Sequence, residues 1–203
     1  MRAEITTSCR SAATRYTRLN LLGWAMLCPH AMELLWHGST PLAQPAYPTA
    51  EESMRLHRLL VEATASAVGS LGAQVASVER EHEHVLGLRR GEDLLCARSK
   101  ADLVYTLRVG GSLLTLYVEV SSSRINVAKP WQALLRGIAL YYERRLPVGV
   151  AIVSPERVMY KLVSDQDQDE ILRRVRGGSE GFQPSPNLCS LCELQHYCPY
   201  RVV

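Results

Sequence analysis

Two apolar runs joined by a Gly-Gly pair limit the folds open to this chain more than any other feature. The runs lie on either side of Gly110 and Gly111. Their apolar residues are Leu103, Val104, Tyr105 and Leu107 before the pair and Leu113, Leu114, Leu116 and Val118 after it. Runs this dense are typical of buried strands, and a Gly-Gly pair between them is typical of a tight turn. The stretch therefore predicts a β-hairpin.

One acid stands at each open end of this hairpin. Asp102 starts the first apolar run and Glu119 ends the second, so the turn brings both carboxylates to the same edge. Two carboxylates held together repel each other unless a cation lies between them. Oxygen ligands of this kind suit Mg²⁺ or Mn²⁺. For an isolated pair of acids, two solvated charges at strand ends are the alternative.

Length and composition predict one domain with a sizeable core, because 47% of the 203 residues are apolar. Within residues 1–203 we expect a helical part at 19–72, a core at 73–176 and a cysteine segment at 177–203. No stretch of about eighteen residues is apolar and free of charge, and the polar start does not resemble a secretory signal. We therefore expect a cytoplasmic protein with no membrane partner. The net charge of +3 permits a nucleic-acid partner without arguing for one.

The rest of the pattern predicts a mixed sheet with helices around it. An amphipathic helix at residues 130–145 separates the hairpin from a short apolar run at residues 148–153. A strand, a helix and a strand in this order form a crossover, so the two strands are parallel. The expected fold class is α/β, with a central mixed β-sheet flanked by helices. Further helices are expected within residues 19–36, where Pro29 breaks the stretch into two, and at residues 165–176. Another helix should start at Ala50, because Thr49 and Glu52 form a capping box. Further strands are expected at 75–85, 92–107 and 157–162.

Three of the six cysteines lie close together near the end of the chain. Cys189, Cys192 and Cys198 follow a Gly/Ser/Pro linker in a stretch without apolar periodicity, which indicates a metal or cluster site. Zinc and iron–sulfur clusters usually take four ligands. Candidates for the fourth are Cys28 and Cys9, with His196 or His30 as further choices for zinc.

The order of these motifs resembles a known family. Cys28-Pro29 comes first, then His57 on a helix, Asp102 on a strand, Glu119-Val120 at the end of the next, Gln132 opening a helix, and Cys189-x2-Cys192-x5-Cys198-Pro199 last. This order is similar to that of the CRISPR-associated RecB-like exonucleases, which are iron–sulfur members of the PD-(D/E)xK nuclease superfamily. The resemblance extends from about residue 21 to residue 200.

The resemblance implies a restriction-endonuclease-like core and two bound groups. Cys28, Cys189, Cys192 and Cys198 would hold an iron–sulfur cluster that joins the N- and C-terminal parts, with 4Fe-4S favoured over 2Fe-2S. His57, Asp102, Glu119 and the Val120 carbonyl would bind one catalytic Mn²⁺ or Mg²⁺. Gln132 would match the glutamine of the family's helix motif.

The chain departs from the family pattern at three positions. Ser121 stands where the family has a lysine, Arg136 stands where it has a tyrosine, and the glycine expected before His57 is absent. The missing lysine would orient the attacking water and offset negative charge. Lys129, before the Gln132 helix, is the better candidate to replace it, and Lys100 is the runner-up.

The resemblance implies a metal-dependent DNA exonuclease that acts on single-stranded ends during CRISPR spacer acquisition, with the CRISPR integrase complex as a partner. The alternative is a catalytically weak, cluster-stabilised DNA-binding subunit of the same complex. A zinc-bearing structural protein is a third hypothesis.

Overall fold

The computed structural model describes residues 2–9, 14–38, 51–70, 73–122, 125–177 and 181–202. The predicted helix start at Ala50, its capping residue Thr49 and the loop at 39–48 lie outside them. The strands are β1 (Ala3–Thr6), β2 (Thr14–Arg18), β3 (Gln74–Arg90), β4 (Asp93–Val109), β5 (Ser112–Val120), β6 (Val148–Val153) and β7 (Val158–Leu162). The helices are α1 (Leu19–Ala25), α2 (Pro29–His37), α3 (Glu51–Ser70), α4 (Lys129–Arg144), α5 (Asp165–Arg176) and α6 (Pro186–Leu191).

The contacts divide the chain into two compact units, each built from several stretches. The first, called the cysteine unit, comprises residues 1–44, 85–99 and 165–203, and the second, called the carboxylate unit, comprises residues 45–84 and 100–164. Strands β3 and β4 each contribute one part to each unit. The three-part division along the chain stays a prediction.

In the cysteine unit, two short strands extend the pairing of β3 and β4. Strand β1 is antiparallel to β3, and β2 is parallel to β4. The break between α1 and α2 is at Pro29, as predicted, because proline has no N–H to continue a helix but suits the first turn of a new one. Strands β1 and β2 were not predicted.

In the carboxylate unit, the sheet is mixed and has a helix on each side. Strands β4 and β5 are antiparallel, β5 and β6 are parallel, and β6 and β7 are antiparallel. One buried cluster includes Ala133 and Leu140 of α4, and another includes Val68 of α3. The predicted fold class, α/β with a mixed sheet flanked by helices, is confirmed. No helix in the described ranges has the length and apolar character needed to span a membrane.

The predicted hairpin is present between β4 and β5. Val109 pairs with Ser112, and the glycines between them have φ angles of +55° and +85°. Such angles favour glycine, because a side chain is strained there. Strand β4 begins at Asp93, close to the predicted start at residue 92, so Asp102 lies inside the strand, next to the end of its pairing with β5.

Helix α4 lies close to the sheet because it carries a glycine at the contact. A Cβ atom added to Gly137 would collide with side-chain atoms of Val150 and Val163. The close approach buries one face of α4, including the polar residues Gln132 and Arg136. Burial of an arginine requires a partner for its charge.

Candidate functional site

The hairpin brings Asp102 and Glu119 together within the carboxylate unit. Leu103 of β4 is opposite Val118 of β5, so the residues just outside this pair, Asp102 and Glu119, are also neighbours across the two strands. The backbone N–H of Val120 donates a hydrogen bond of 2.7 Å to Asp102 Oδ2. Burial raises the pKa of Asp102, and the nearby charge of Glu119 raises it further. The repulsion expected between the two acids is therefore present.

Glu119 is buried and surrounded by donors. Lys129 Nζ donates to its Oε1 at 2.7 Å, while Arg136 Nη1 and the Tyr117 hydroxyl both donate to its Oε2. Arg136 also donates to the Tyr117 hydroxyl at 3.0 Å. Burial alone would raise the pKa of Glu119, but the charges of Arg136 and Lys129 lower it to about 2. Glu119 is therefore ionised at neutral pH.

The formal charges of this cluster balance without a divalent ion. Asp102 and Glu119 contribute two negative charges, and Lys129 and Arg136 contribute two positive ones. Sequence reasoning noted Arg136 only as a departure from a family pattern and missed this ion pair. A signal was available, because Lys129, Gln132 and Arg136 follow one another at helical spacing and so share one face of α4.

The two candidate lysines have different partners. Lys129 binds Glu119, whereas Lys100 forms exposed ion pairs with Glu81 and Glu83 at 3.8 and 3.6 Å. Of the two lysines, Lys129 thus lies where the hypothesis of a displaced lysine requires one.

His57 lies beside the carboxylate pair. Its Nε2 is 3.5 Å from Asp102 Oδ1. Neighbouring ligands of an octahedral ion with bonds of ~2.1 Å are about 3 Å apart, so a small movement would let both residues bind one ion. Lys129 occupies only one lone pair of Glu119 Oε1, which leaves a second for a metal. Two carboxylates and an imidazole therefore fit Mn²⁺, and Mg²⁺ less well.

The remaining predicted residues of this site are placed on the same elements. Val120 follows Glu119 at the end of β5, and Gln132 is buried on α4 near Lys129. Among the residues that the structure describes, no group of three or more His, Cys, Asp or Glu side chains forms a ready-made metal site.

His84 is a histidine of β3 whose side chain is buried. Neither of its ring nitrogens has a hydrogen-bond partner within the described residues. Burial lowers its pKa to about 4, and the charge of Arg136 contributes to this. The imidazole is thus held neutral within reach of the ion-pair cluster.

We expect His84 to make the protein lose stability between pH 6.5 and about 4. In this range the unfolded chain binds a proton at this histidine and the folded chain does not, so the free energy of unfolding falls as the pH falls. The loss is on the order of 3 kcal/mol. Urea unfolding at several pH values should show it in the wild type and not in His84→Phe. His37→Ala, which removes an exposed histidine, is the control, and an unchanged pH dependence in His84→Phe would contradict the assignment.

The cysteine unit brings four thiols around one cavity. Its lining includes Cys28 at the start of α2, Cys189 on α6, and Cys192 and Cys198 beyond it. Burial raises the pKa of Cys28 and raises that of Cys192 to about 11, and the neighbouring thiols contribute to both. Two hydrogen bonds join the N- and C-terminal parts of the chain in this unit. Trp24 Nε1 donates to Glu193 at 3.2 Å, and Arg174 donates to the Met26 carbonyl.

The other candidates for the fourth ligand have different neighbours. Cys9 forms a disulfide with Cys96. His30 Nε2 is 3.0 Å from the Phe182 carbonyl oxygen, and its ring stacks on Tyr200. Cys28 is therefore the cysteine that joins the three late ones.

The donor set of four thiols fits either an iron–sulfur cluster or a zinc ion. The cavity between them has a volume of about 20 Å³, which is room for about one water-sized sphere. A space of this size is smaller than a four-iron cluster, so binding of a cluster would require the thiols to move apart.

No protein-family model matches the chain, and no curated protein matches it. The crystal structure of SSO0001 is similar over 97% of this chain and 91% of its own, with a TM-score of 0.48 and 15% sequence identity. A likeness at this level carries no argument about function.

Proposed function

We propose that this protein is a metal-dependent DNA exonuclease that acts on single-stranded ends in the cytoplasm, during CRISPR spacer acquisition. In this proposal it has a restriction-endonuclease-like core and works with the CRISPR integrase complex. The observation that carries the nuclease proposal is the arrangement of Asp102 and Glu119 on adjacent strands, with Lys129 bound to Glu119 at 2.7 Å. The role in CRISPR immunity rests on the resemblance of the sequence motifs.

Each residue of the cluster has a distinct part in the proposed reaction. Asp102, Glu119, His57 and the Val120 carbonyl would hold Mn²⁺ or Mg²⁺, which lowers the pKa of a bound water and polarises the phosphate. Lys129 places an ammonium group where negative charge builds up on the scissile phosphate. Arg136 and Tyr117 hold Glu119 in one orientation through its Oε2. Gln132 lies one helical turn from Lys129 and would orient the water or the substrate.

Digestion of end-labelled single-stranded DNA tests the proposal. With Mn²⁺ the wild type should shorten the strand progressively from an end, and EDTA should stop the reaction. Asp102→Asn keeps the size of the side chain but removes the charge of a metal ligand, so it should lower the rate by at least a hundredfold. A wild-type protein without divalent-dependent cleavage, or an Asp102→Asn variant that cleaves at the wild-type rate, would refute the nuclease proposal.

The charge balance of the cluster favours a second candidate function. A divalent ion that enters a neutral cluster gains less from Coulomb attraction than one that enters a pair of bare carboxylates. On this view the protein binds DNA as a cluster-stabilised subunit of the acquisition complex and cleaves it weakly or not at all. Tight binding of single-stranded DNA without Mn²⁺-dependent cleavage would favour this function.

We further propose that Cys28, Cys189, Cys192 and Cys198 hold an iron–sulfur cluster, with 4Fe-4S favoured and 2Fe-2S as the alternative. Four thiolates are the usual ligands of both clusters. Because these four residues come from both ends of the chain, binding the cluster would contribute directly to folding.

Replacement of a cluster ligand should lower the iron content and the thermal stability together. We expect Cys189→Ala and Cys198→Ala each to lose most of the iron and sulfide, as measured by chemical assay and visible absorbance. Cys96→Ala breaks the disulfide to Cys9, which lies outside the cavity, so it should retain the iron even if its thermal stability falls. Stoichiometric zinc without sulfide in the wild type would refute the cluster and establish the single-ion alternative.

A further inference from the structure

A cleft of about 580 Å³ opens beside the candidate catalytic site, within the carboxylate unit. It is lined by Ser53, Met54, His57 and Arg58 of α3 and by Ser122, which follows β5. His57 also lies 3.5 Å from Asp102, so one residue of the lining is next to the carboxylate pair. Its volume lies within the range of about 300–1,000 Å³ that is usual for small-ligand sites.

The four helical residues of the cleft form two rows on one face of α3. Residues four apart are neighbours on a helix, which pairs Ser53 with His57 and Met54 with Arg58. The first row is near the carboxylates, because His57 lies beside Asp102. The second row presents the apolar chain of Met54 and the cation of Arg58. The wall thus combines groups that bind phosphate with a surface that accepts an apolar ring.

Arg58 is an exposed cation in the lining of the cleft. Its side chain is exposed, and within the described residues its guanidinium has no hydrogen-bond or ion-pair partner. The hydroxyls of Ser53 and Ser122 hydrogen-bond to each other at 2.8 Å, which uses one of their two protons. The second proton remains to donate to a phosphate oxygen.

Met54 supplies the apolar part of the cleft. It is 48% exposed although it is a large apolar side chain. Methionine is flexible and polarizable, so it adapts to flat aromatic rings of different shape. A nucleobase can take this position only when it is unpaired, because in a duplex its faces are stacked on neighbouring bases and cannot contact a side chain.

We propose that this cleft binds one nucleotide of a single DNA strand, next to the scissile phosphate, with Arg58 and the serine pair on a phosphate and Met54 against the base. The inference rests on the proposed nuclease function and names the part of the substrate that the site recognises. It gives the protein a reason to prefer single strands over duplexes.

Two matched pairs of variants on α3 test the cleft. Arg58→Ala and Met54→Ala alter the lining, while Arg55→Ala and Leu59→Ala remove an exposed residue of the same type from the same helix outside it. All four should retain the thermal stability of the wild type, since each replaced side chain is exposed. Affinity for labelled oligo-dT is measured by fluorescence anisotropy in EDTA, where no cleavage occurs.

We expect Arg58→Ala to weaken binding about tenfold. The slope of log affinity against log salt concentration should become less steep by about one unit, which corresponds to the loss of one phosphate contact. Met54→Ala should weaken binding about threefold to tenfold with the salt dependence unchanged, because it removes contact with a base. Arg55→Ala and Leu59→Ala should remain within about twofold of the wild type. For a duplex of the same length, all four variants should bind as the wild type does.

Equal losses for Arg58→Ala and Arg55→Ala would show a general attraction of positive charge and would overturn the cleft assignment. The failure of the nuclease proposal has a different outcome. A wild type that never cleaves with Mn²⁺, but whose binding still depends on Arg58 and Met54, would refute the nuclease and retain the nucleotide site. If the wild type cleaves DNA and Arg58→Ala has the same KM, the nuclease proposal stands and the nucleotide site in the cleft is refuted.

Discussion

Replacing Glu119 with alanine is expected to lower the free energy of unfolding by about 3–5 kcal/mol, in addition to ending divalent-dependent cleavage. The reason is Arg136, whose buried guanidinium would lose its ion pair with Glu119. At neutral pH the stabilisation from Glu119 is fully present. It decreases below the ordinary pKa of 4.5 and is lost as the pH falls toward 2. Chemical unfolding in EDTA measures the effect without any contribution from metal.

A double variant separates this explanation from general damage to the core. In Glu119→Ala combined with Arg136→Met, both charges are absent and an apolar chain of similar length takes the place of arginine. We expect this protein to recover most of the lost stability. If the double variant is as unstable as Glu119→Ala alone, loss of the ion pair with the Arg136 guanidinium is not the cause of the lower stability.

This expectation corrects a simpler one based on repulsion alone. The sequence places Asp102 and Glu119 side by side, which suggests that removal of either carboxylate should relieve strain. For Asp102 this stays a prediction: burial and the charge of Glu119 raise its pKa, but its carboxylate also accepts a hydrogen bond from the Val120 N–H. It fails for Glu119, because two cations and a phenol surround that carboxylate.

Replacing Lys129 with alanine is expected to slow cleavage by about a hundredfold or more, the usual effect of losing one preorganised stabiliser of transition-state charge. Arg136 still pairs with Glu119 in this variant, so the protein should remain folded. The rate is measured under single-turnover conditions with Mn²⁺ across a range of concentrations. Metal affinity should rise, because without the ammonium the cluster carries a net negative charge, so the loss of rate cannot come from loss of metal.

Two further variants decide whether Lys129 replaces the missing lysine. Lys100→Ala removes a lysine that binds Glu81 and Glu83, and it should cleave at close to the wild-type rate. Ser121→Lys restores the superfamily pattern and should retain or raise activity, also in combination with Lys129→Ala. If Lys129→Ala and Lys100→Ala both cleave as the wild type does, then neither lysine takes part in catalysis.

The parts of the fold that the sequence predicted have local signals. A Gly-Gly turn between apolar runs fixes the register of β4 and β5, and the register places Asp102 next to Glu119. Pro29 marks a helix boundary by its own chemistry. The crossover through α4 makes β5 and β6 parallel because a helix between two strands returns the chain to the same end of the sheet.

The parts that were missed depend on partners distant in sequence. Strands β1 and β2 are short and polar, and they are ordered by pairing with β3 and β4. His84 alternates with charged residues as an exposed strand would, and its burial depends on what covers β3. Arg136 looks like an ordinary helical cation until the packing of α4 on the sheet places it against Glu119. Local patterns identify elements, but only the assembled sheet shows which charges are enclosed.

The ion pairs around Glu119 also determine the order in which the working protein is assembled. Lys129 and Arg136 are part of the chain, so the carboxylate already has its counterions when folding ends. Under the proposed function, the catalytic ion is then a late and exchangeable addition, and a preparation stripped by chelator should regain activity on dilution into Mn²⁺. Under the same proposal, a group held by the four cysteines would join residues from both ends of the chain, so it would have to be delivered during folding. Production in cells starved of iron would therefore reduce the yield of folded protein, whereas starvation for manganese would leave the yield unchanged.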